Sequence, residues 1–550
     1  MRRFVALVAL SVLVLTGCAA LPMQGPVMVG GPILSGESED FEFLPSGPVE
    51  GATQQEILEG FIAAGSAAQN GYRIARSYLT EGAANEWNPA AETIVRTAQA
   101  DIGLSGATAL TYTFGVKARV SASGNYQAEA AGSKQTLEFR FQEVDGEWRI
   151  SELPDVVVVS EVTFAAAFQE YTLYFYDTYR THLIPDVRMF ARQGDPVSSV
   201  ARAVIGGPSP YLSSAVGAFA ATAKLVTTPV GVINGRATVD VSDEILSASA
   251  EDQRAMLTQM AASLQGIVGV AAVSFSVNQT SIDVTPASFT AAELEPTVDP
   301  RPLVVVDGEL GYLNDATLQS LDAHGEAIMG LNPTSISTAD SQISAVGTRS
   351  GVYRVAQNDV VRISAQRPTV APQIDSSGVV WWVNPSSPAR VSTSGSQGST
   401  SFGGSWPQTA RITHMEVSRD NSRLAILVSV GGATHLYVSS IERDKAGFPM
   451  GLGIFRELPL SADSARGLAW ASSTHIAIII ENAGMASVAL ASVGGMTISI
   501  GQPREPATIV GGNNGRQGIT ILSEDGVLWQ PRGEGWQSTG VIASLLATQR

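Results

Sequence analysis

The chain carries one cysteine, and that constrains how it can be held together. Among 550 residues only Cys18 has a thiol, so no disulfide can form within the chain and every folded part must stand on packing. Cys18 closes the tetrapeptide Leu15-Thr16-Gly17-Cys18. Ahead of it lie Arg2 and Arg3, then an apolar run from Phe4 to Leu15. A basic start, a short apolar segment and small residues at the cut form the pattern of a secretory signal. As a helix the run would be about 18 Å long, too short for a bilayer core of about 30 Å. A cysteine at this place reads as a bacterial lipobox, with residues 1–17 as the signal peptide. The expectation is lipidation of Cys18, which becomes the new N-terminus. The protein would then be lipid-anchored on the extracytoplasmic face of the cell membrane. Each buried CH2 adds about 0.8 kcal/mol, so two or three acyl chains hold stably.

The length suggests several domains. Hydrophobic residues make up 44%, charged residues 15%, and glycine counts 54, a globular, loop-rich composition that leans towards β structure. Formal net charge is −17, and removal of residues 1–17 takes away Arg2 and Arg3. So acidic a body argues against nucleic acid as a partner.

Residues 18–44 read as a flexible tether: prolines and glycines interrupt any helix, and Glu37, Glu39, Asp40 and Glu42 repel one another. Residues 45–155 read as an N-terminal α+β domain. Thr53 and Glu56 form a capping box ahead of the apolar stripe Ile57, Leu58, Phe61 and Ile62. A second helix holds Ile74 to Leu79, and alternating strands follow over Ala109–Val120, Tyr126–Ala130 and Leu137–Phe141. Tyr78, Trp87, Phe139 and Trp148 read as core. Residues 160–285 read as a second α+β domain in the order β-α-β-β-α-β. Its marks are the aromatic strand Glu170–Asp177, the helix start Asp195-Pro196, the helix stop Gly206-Gly207-Pro208 and the hairpin turn Asn234-Gly235. After a linker at 286–300, residues 301–550 repeat a strand, polar turn, strand texture at intervals of about 40–50 residues. That period reads as a β-propeller of five to seven blades. Gly395 to Gln408, rich in Ser, Thr and Gly, reads as a mobile loop. The fold class is therefore two small α+β domains followed by an all-β propeller.

Three stretches carry a resemblance. Tyr174-Phe175-Tyr176-Asp177, the helix end Ile205-Gly206-Gly207-Pro208 and Asn234-Gly235-Arg236-Ala237-Thr238-Val239-Asp240 resemble the GerMN domain of bacterial germination and envelope proteins. Phe43 to Pro48 and Trp87-Asn88-Pro89 resemble the N-terminal region of the actinobacterial LpqB lipoproteins, although Ser46 stands where a second proline is expected. That family joins a lipobox, an α+β domain, a GerMN domain and a propeller in this order. The resemblance implies an accessory lipoprotein that binds the extracytoplasmic domain of a sensor histidine kinase of a two-component system and modulates signalling linked to the cell envelope and division.

Catalytic signals are weak. His182, His324, His414, His435 and His475 show no metal-ligand spacing, although His414 and His435 flank a predicted hairpin. There is no G-x-S-x-G elbow and no Walker A sequence. The expectation is a binding protein, not an enzyme, without cofactor or metal. Two other readings stay open: a cell-wall glycan-binding module that contacts peptidoglycan, and a propeller lyase or hydrolase acting on envelope carbohydrate.

Overall fold

The computed structural model describes residues 45–97, 100–217, 222–284, 294–339, 342–357 and 359–550. Cys18 and the tether expected at 18–44 lie outside the described residues. Pro45–Arg550 forms a single compact unit.

In the first domain the helix Gln54–Ala64 starts as the sequence predicts. The Thr53 hydroxyl accepts from the Glu56 N–H, and the Glu56 carboxylate accepts from the Thr53 N–H at 2.8 Å. Ile57, Leu58 and Phe61 bury one face of this helix against a seven-stranded sheet. Trp87 meets Phe61 edge-on at 5.2 Å, and Phe139 does so at 6.1 Å. Tyr78, Trp87 and Phe139 are buried and Trp148 is half-buried, so these aromatics are core. The second helix is short, only Arg73–Arg76. The sheet runs Glu147–Glu152, Lys134–Val144, Ala109–Ser121, Glu92–Arg96, Val157–Ser160. Its last pair is parallel.

The second domain contains a strand that the sequence pattern hides. Phe168–Tyr176 pairs antiparallel with Leu183–Ala191, so the order expected from the sequence lacks one strand. Pro185, Asp186 and Arg188 interrupt the apolar pattern there, and the strand is buried on both faces over Leu183–Met189, so no alternation marks it; the two charges are tolerated inside because they pair with each other. The remaining elements follow the local signals. Asp195 caps the helix Pro196–Gly206, accepting from the Ser198 N–H at 3.0 Å, and Gly207 ends it at φ 92°. Asn234 and Gly235 both take positive φ, 49° and 77°, as a type I′ turn requires. They join Gly231–Ile233 to Arg236–Val241, which pairs parallel with Ala272–Val277.

The C-terminal region is propeller-like. Antiparallel meanders run over 333–364, 373–403, 411–458, 464–499 and 506–542. The last strand, Leu545–Gln549, joins Leu303–Val306 and its neighbours, and so ties the end of the region to its beginning. It also touches Pro333–Ala339 in parallel over two residue pairs. Gly395 to Gln408 is no mobile loop. Gly398–Gly403 is a strand paired with Arg390–Gly395, and the Trp406 ring beside it is buried, its Nε1 donating to the Ala389 carbonyl at 2.9 Å. Trp406 supplies the apolar anchor that the small residues around it lack.

Arg550 lies where the first strands of neighbouring meanders converge. Its backbone N–H donates to the Thr338 carbonyl at 2.9 Å. Its guanidinium reaches Glu416 at 3.2 Å, the Gln373 side-chain oxygen at 2.7 Å and the Val417 carbonyl. Burial pushes the Glu416 carboxyl up from its ordinary range, against the pull of Arg550.

Candidate functional site

The three domains meet around the strand Leu183–Ala191. Asp186 and Arg188 are both closed to solvent and paired at 2.7 Å. Arg188 also donates to the Ser123 carbonyl of the first domain at 2.7 Å and to the Gly207 carbonyl at 3.1 Å. Asp186 accepts from the Ser209 N–H and hydroxyl, each at 2.7 Å. From the propeller side, the Arg456 guanidinium lies 5.4 Å from the Tyr211 ring and donates to the Tyr126 carbonyl. Burial lifts the Tyr211 phenol to about 12. Gly494 fits against the backbone of Val187, where a Cβ would lie 2.1 Å from the carbonyl oxygen. Apolar residues continue across the boundary. Leu173, Phe175 and Val187 share one core with Leu427, Leu436, Trp470 and Ile478.

A cavity of about 210 Å³ opens in the second domain, at the far end of Phe168–Tyr176. Tyr176, Asp177, Thr178 and Arg180 line it on one side, Val216 and Gly217 on another, and Asp252, Ala255, Met256 and Gln259 on the helix Ala250–Leu264. The turn after Tyr176 is built on Asp177. Its carboxylate accepts from the N–H groups of Thr181 and His182 at 2.6 and 3.0 Å and from the Thr181 hydroxyl at 2.7 Å. Burial alone would raise this carboxyl, but the hydrogen bonds from His182 and Thr181 outweigh it and hold it low. Arg180, at φ 58°, ties the turn to the helix by pairing with Asp252 and with Glu251 at 3.3 Å. Arg180 and then Ser249 hold the Asp252 carboxyl low, so both lining aspartates are ionised at neutral pH. Gln259 is 3% exposed, and its Nε2 has no partner among the described residues.

Sequence reasoning singled out Tyr176 and Asp177 as part of a motif and missed the helical side. Ala255, Met256 and Gln259 sit on a helix whose buried face reads as plain core, and nothing in one sequence separates a cavity wall from packing. The histidines are not brought together. His414 and His435 lie on either side of Arg423–Val430. His414 Nε2 accepts from the Gly467 N–H at 3.1 Å, while His435 pairs with Glu457 at 2.7 Å. Among the described residues no group of three or more acids or histidines could hold a metal ion. Among them, too, no helix is long and apolar enough to cross a membrane.

Fold and junction define a class: an N-terminal α+β domain, a GerMN-like domain and a propeller fused in one chain. The model of the lipoprotein LpqB N-terminal domain matches residues 47–165, that of a sporulation and spore germination domain matches 172–283, and that of the LpqB beta-propeller domain matches 308–544. Lipoprotein LpqB of Cutibacterium acnes is 23% identical over 583 aligned positions, covering 95% of both chains. That of Streptomyces coelicolor is 23% identical over 601 positions, covering 97% of this chain and 96% of the other. That of Nocardia farcinica reaches 34% over 189 positions, 33% of this chain and 30% of that one. The chain belongs to the LpqB lipoprotein family.

Proposed function

We infer that this chain is a lipid-anchored extracytoplasmic lipoprotein, acylated at Cys18, that binds the extracytoplasmic domain of a sensor histidine kinase and modulates its signalling, in a circuit linked to the cell envelope and division. The observation that carries the reading is the fused junction around Asp186 and Arg188. A partner held by one domain is held by a body in which the other two are fixed through shared core and buried hydrogen bonds. Such a body can favour one kinase geometry over another. That is what modulation needs, since a ligand with equal affinity for two states shifts neither. Relatives over nearly the full length carry the name of a lipoprotein and of no enzyme, which supports a binding role.

The test is crosslinking in native membranes, with and without Cys18→Ala. The unchanged chain should fractionate with the membrane and crosslink to a histidine kinase ectodomain. The variant should leave the membrane fraction and lose the crosslink. A native chain that crosslinks to no kinase would sink the partner reading, and a variant that stays membrane-bound would sink the anchor.

A further inference from the structure

One end of the propeller carries positive charge in a chain whose net charge is −17. Within the meander 411–458, Tyr179 of the second domain reaches the carbonyls of Arg443 and Asp444, and Arg411 lies at the other end of the same strands. The turns beside Arg411 form one continuous arc. Pro368 and Pro372 of the turn 364–373 pack against Gly347. The Gln366 side chain donates to the Ser386 hydroxyl at 3.1 Å, and the Pro388 carbonyl accepts from the Ile412 N–H at 2.8 Å. Along this arc Arg349, Arg362, Arg367 and Arg411 are exposed and Arg390 is half-buried. From Ser341 to Met415 the sequence holds no lysine, and its only acids are Asp359 and Asp375. Asp375 is buried and taken by Arg443 and the Trp381 indole. Asp359 sits at the opposite end of its strand from Ser364 and the arc. Among the described residues, none of the five arginines is in an ion pair.

Two of them are aimed by backbone oxygens. Arg362 donates to the Ser350 carbonyl at 2.7 Å and lies 5.9 Å from the Tyr353 ring, and Arg390 donates to the Ser401 carbonyl at 2.6 Å. A guanidinium has five N–H donors, so these bonds leave others free. Pro368, Pro372, Pro385, Pro388 and Pro407 stiffen the turns, so little ordering remains for a partner to impose. Like charges gathered on such a frame attract an anionic partner, and the planar fork of arginine matches a carboxylate. An anionic bilayer fits less well. The exposed large hydrophobics of this stretch, Val360 and Val361, lie on the strand Asp359–Ser364 and not in the turns, so nothing there inserts among acyl chains. The acidic body as a whole is repelled by such a surface.

We propose that this arginine arc docks an acidic segment of a protein partner, whose carboxylates sit in the guanidinium forks. The proposal does not depend on that partner being a kinase ectodomain.

Fluorescence anisotropy tests it on the full chain in detergent micelles, with labelled decaglutamate as the probe and labelled decaglutamine as its neutral control. Decaglutamate should bind and decaglutamine should not, and binding should weaken as salt rises from about 50 to about 200 mM. Arg367→Gln combined with Arg411→Gln removes two exposed charges and should weaken binding about tenfold. Arg504→Gln combined with Arg532→Gln, outside the arc, should leave it unchanged, with thermal unfolding confirming that all variants are folded. No binding, equal binding of the two peptides, no loss from the first pair of variants or an equal loss from the second would overturn the assignment. Micelles doped with phosphatidylglycerol or phosphatidylcholine supply the lipid arm. Displacement of the peptide by the first alone would give the arc to a membrane surface and overturn it as well. None of these results touches the crosslinking test of the kinase.

Discussion

Asp186 and Arg188 lie two residues apart on one strand, point to the same face, and are paired at 2.7 Å with no exposure to solvent. Breaking a buried pair by removing one partner costs about 3–5 kcal/mol, because the other charge stays behind uncompensated. Asp186→Ala should destabilise the chain by that amount. Asp186→Leu combined with Arg188→Met should recover much of the loss. Urea unfolding measures both, and a double variant no better than the single one would contradict the pairing argument.

At Gly494 the propeller backbone lies directly against the backbone of Val187 in the second domain. With a Cβ 2.1 Å from the Val187 carbonyl oxygen, Gly494→Ala forces the two apart. Overpacking of this kind costs about 1–3 kcal/mol. The expected signature is faster limited proteolysis at the domain boundary, with secondary structure by circular dichroism unchanged. Identical digestion rates would show that the junction gives way freely.

Acid should weaken the fold through His414. Burial holds this imidazole down at about 4, and a proton on Nε2 would face the Gly467 N–H that it now accepts from. An unfolded histidine titrates near 6.5. Between about pH 6.5 and 4 the unfolded chain therefore binds a proton that the folded chain does not, and stability falls as pH falls, by up to about 3 kcal/mol. Burial lowers His324 and His475 as well, so they add slope in the same direction. Asp420, brought to about 2 because Arg423, Ser418 and Ser422 outweigh its burial, adds its own loss only below its ordinary range. The measure is the difference between the native chain and His414→Gln. The variant keeps an acceptor for Gly467 and should show a flatter decline of urea midpoint from pH 7 to 4.

Arg550 pairs with the buried Glu416. Arg550→Ala should cost about 3–5 kcal/mol, and Glu416→Gln in the same chain should restore part of it by removing the stranded charge. Differential scanning calorimetry reads both, and a single variant as stable as the native chain would refute a structural role for the Arg550–Glu416 pair.

What the sequence determined by itself are the features written in a few neighbouring residues. The box of Thr53 and Glu56, the cap at Asp195 with Pro196, and the turn at Asn234-Gly235 all appear where expected. Each is closed by groups within a few positions of one another, so short-range sterics and hydrogen bonds suffice. The recurrence of strand and turn beyond residue 301 likewise announces an all-β region. Only the tertiary structure decided the rest. Leu183–Ala191 becomes a strand because the charges of Asp186 and Arg188 meet partners from Ser123, Gly207 and Ser209. Trp406 orders a stretch that composition marks as loose. Gln259 stands at a cavity only because the Asp177 turn packs beside its helix. A buried charge or an unpartnered amide is tolerated or not according to groups far away in sequence, and no local pattern encodes those groups.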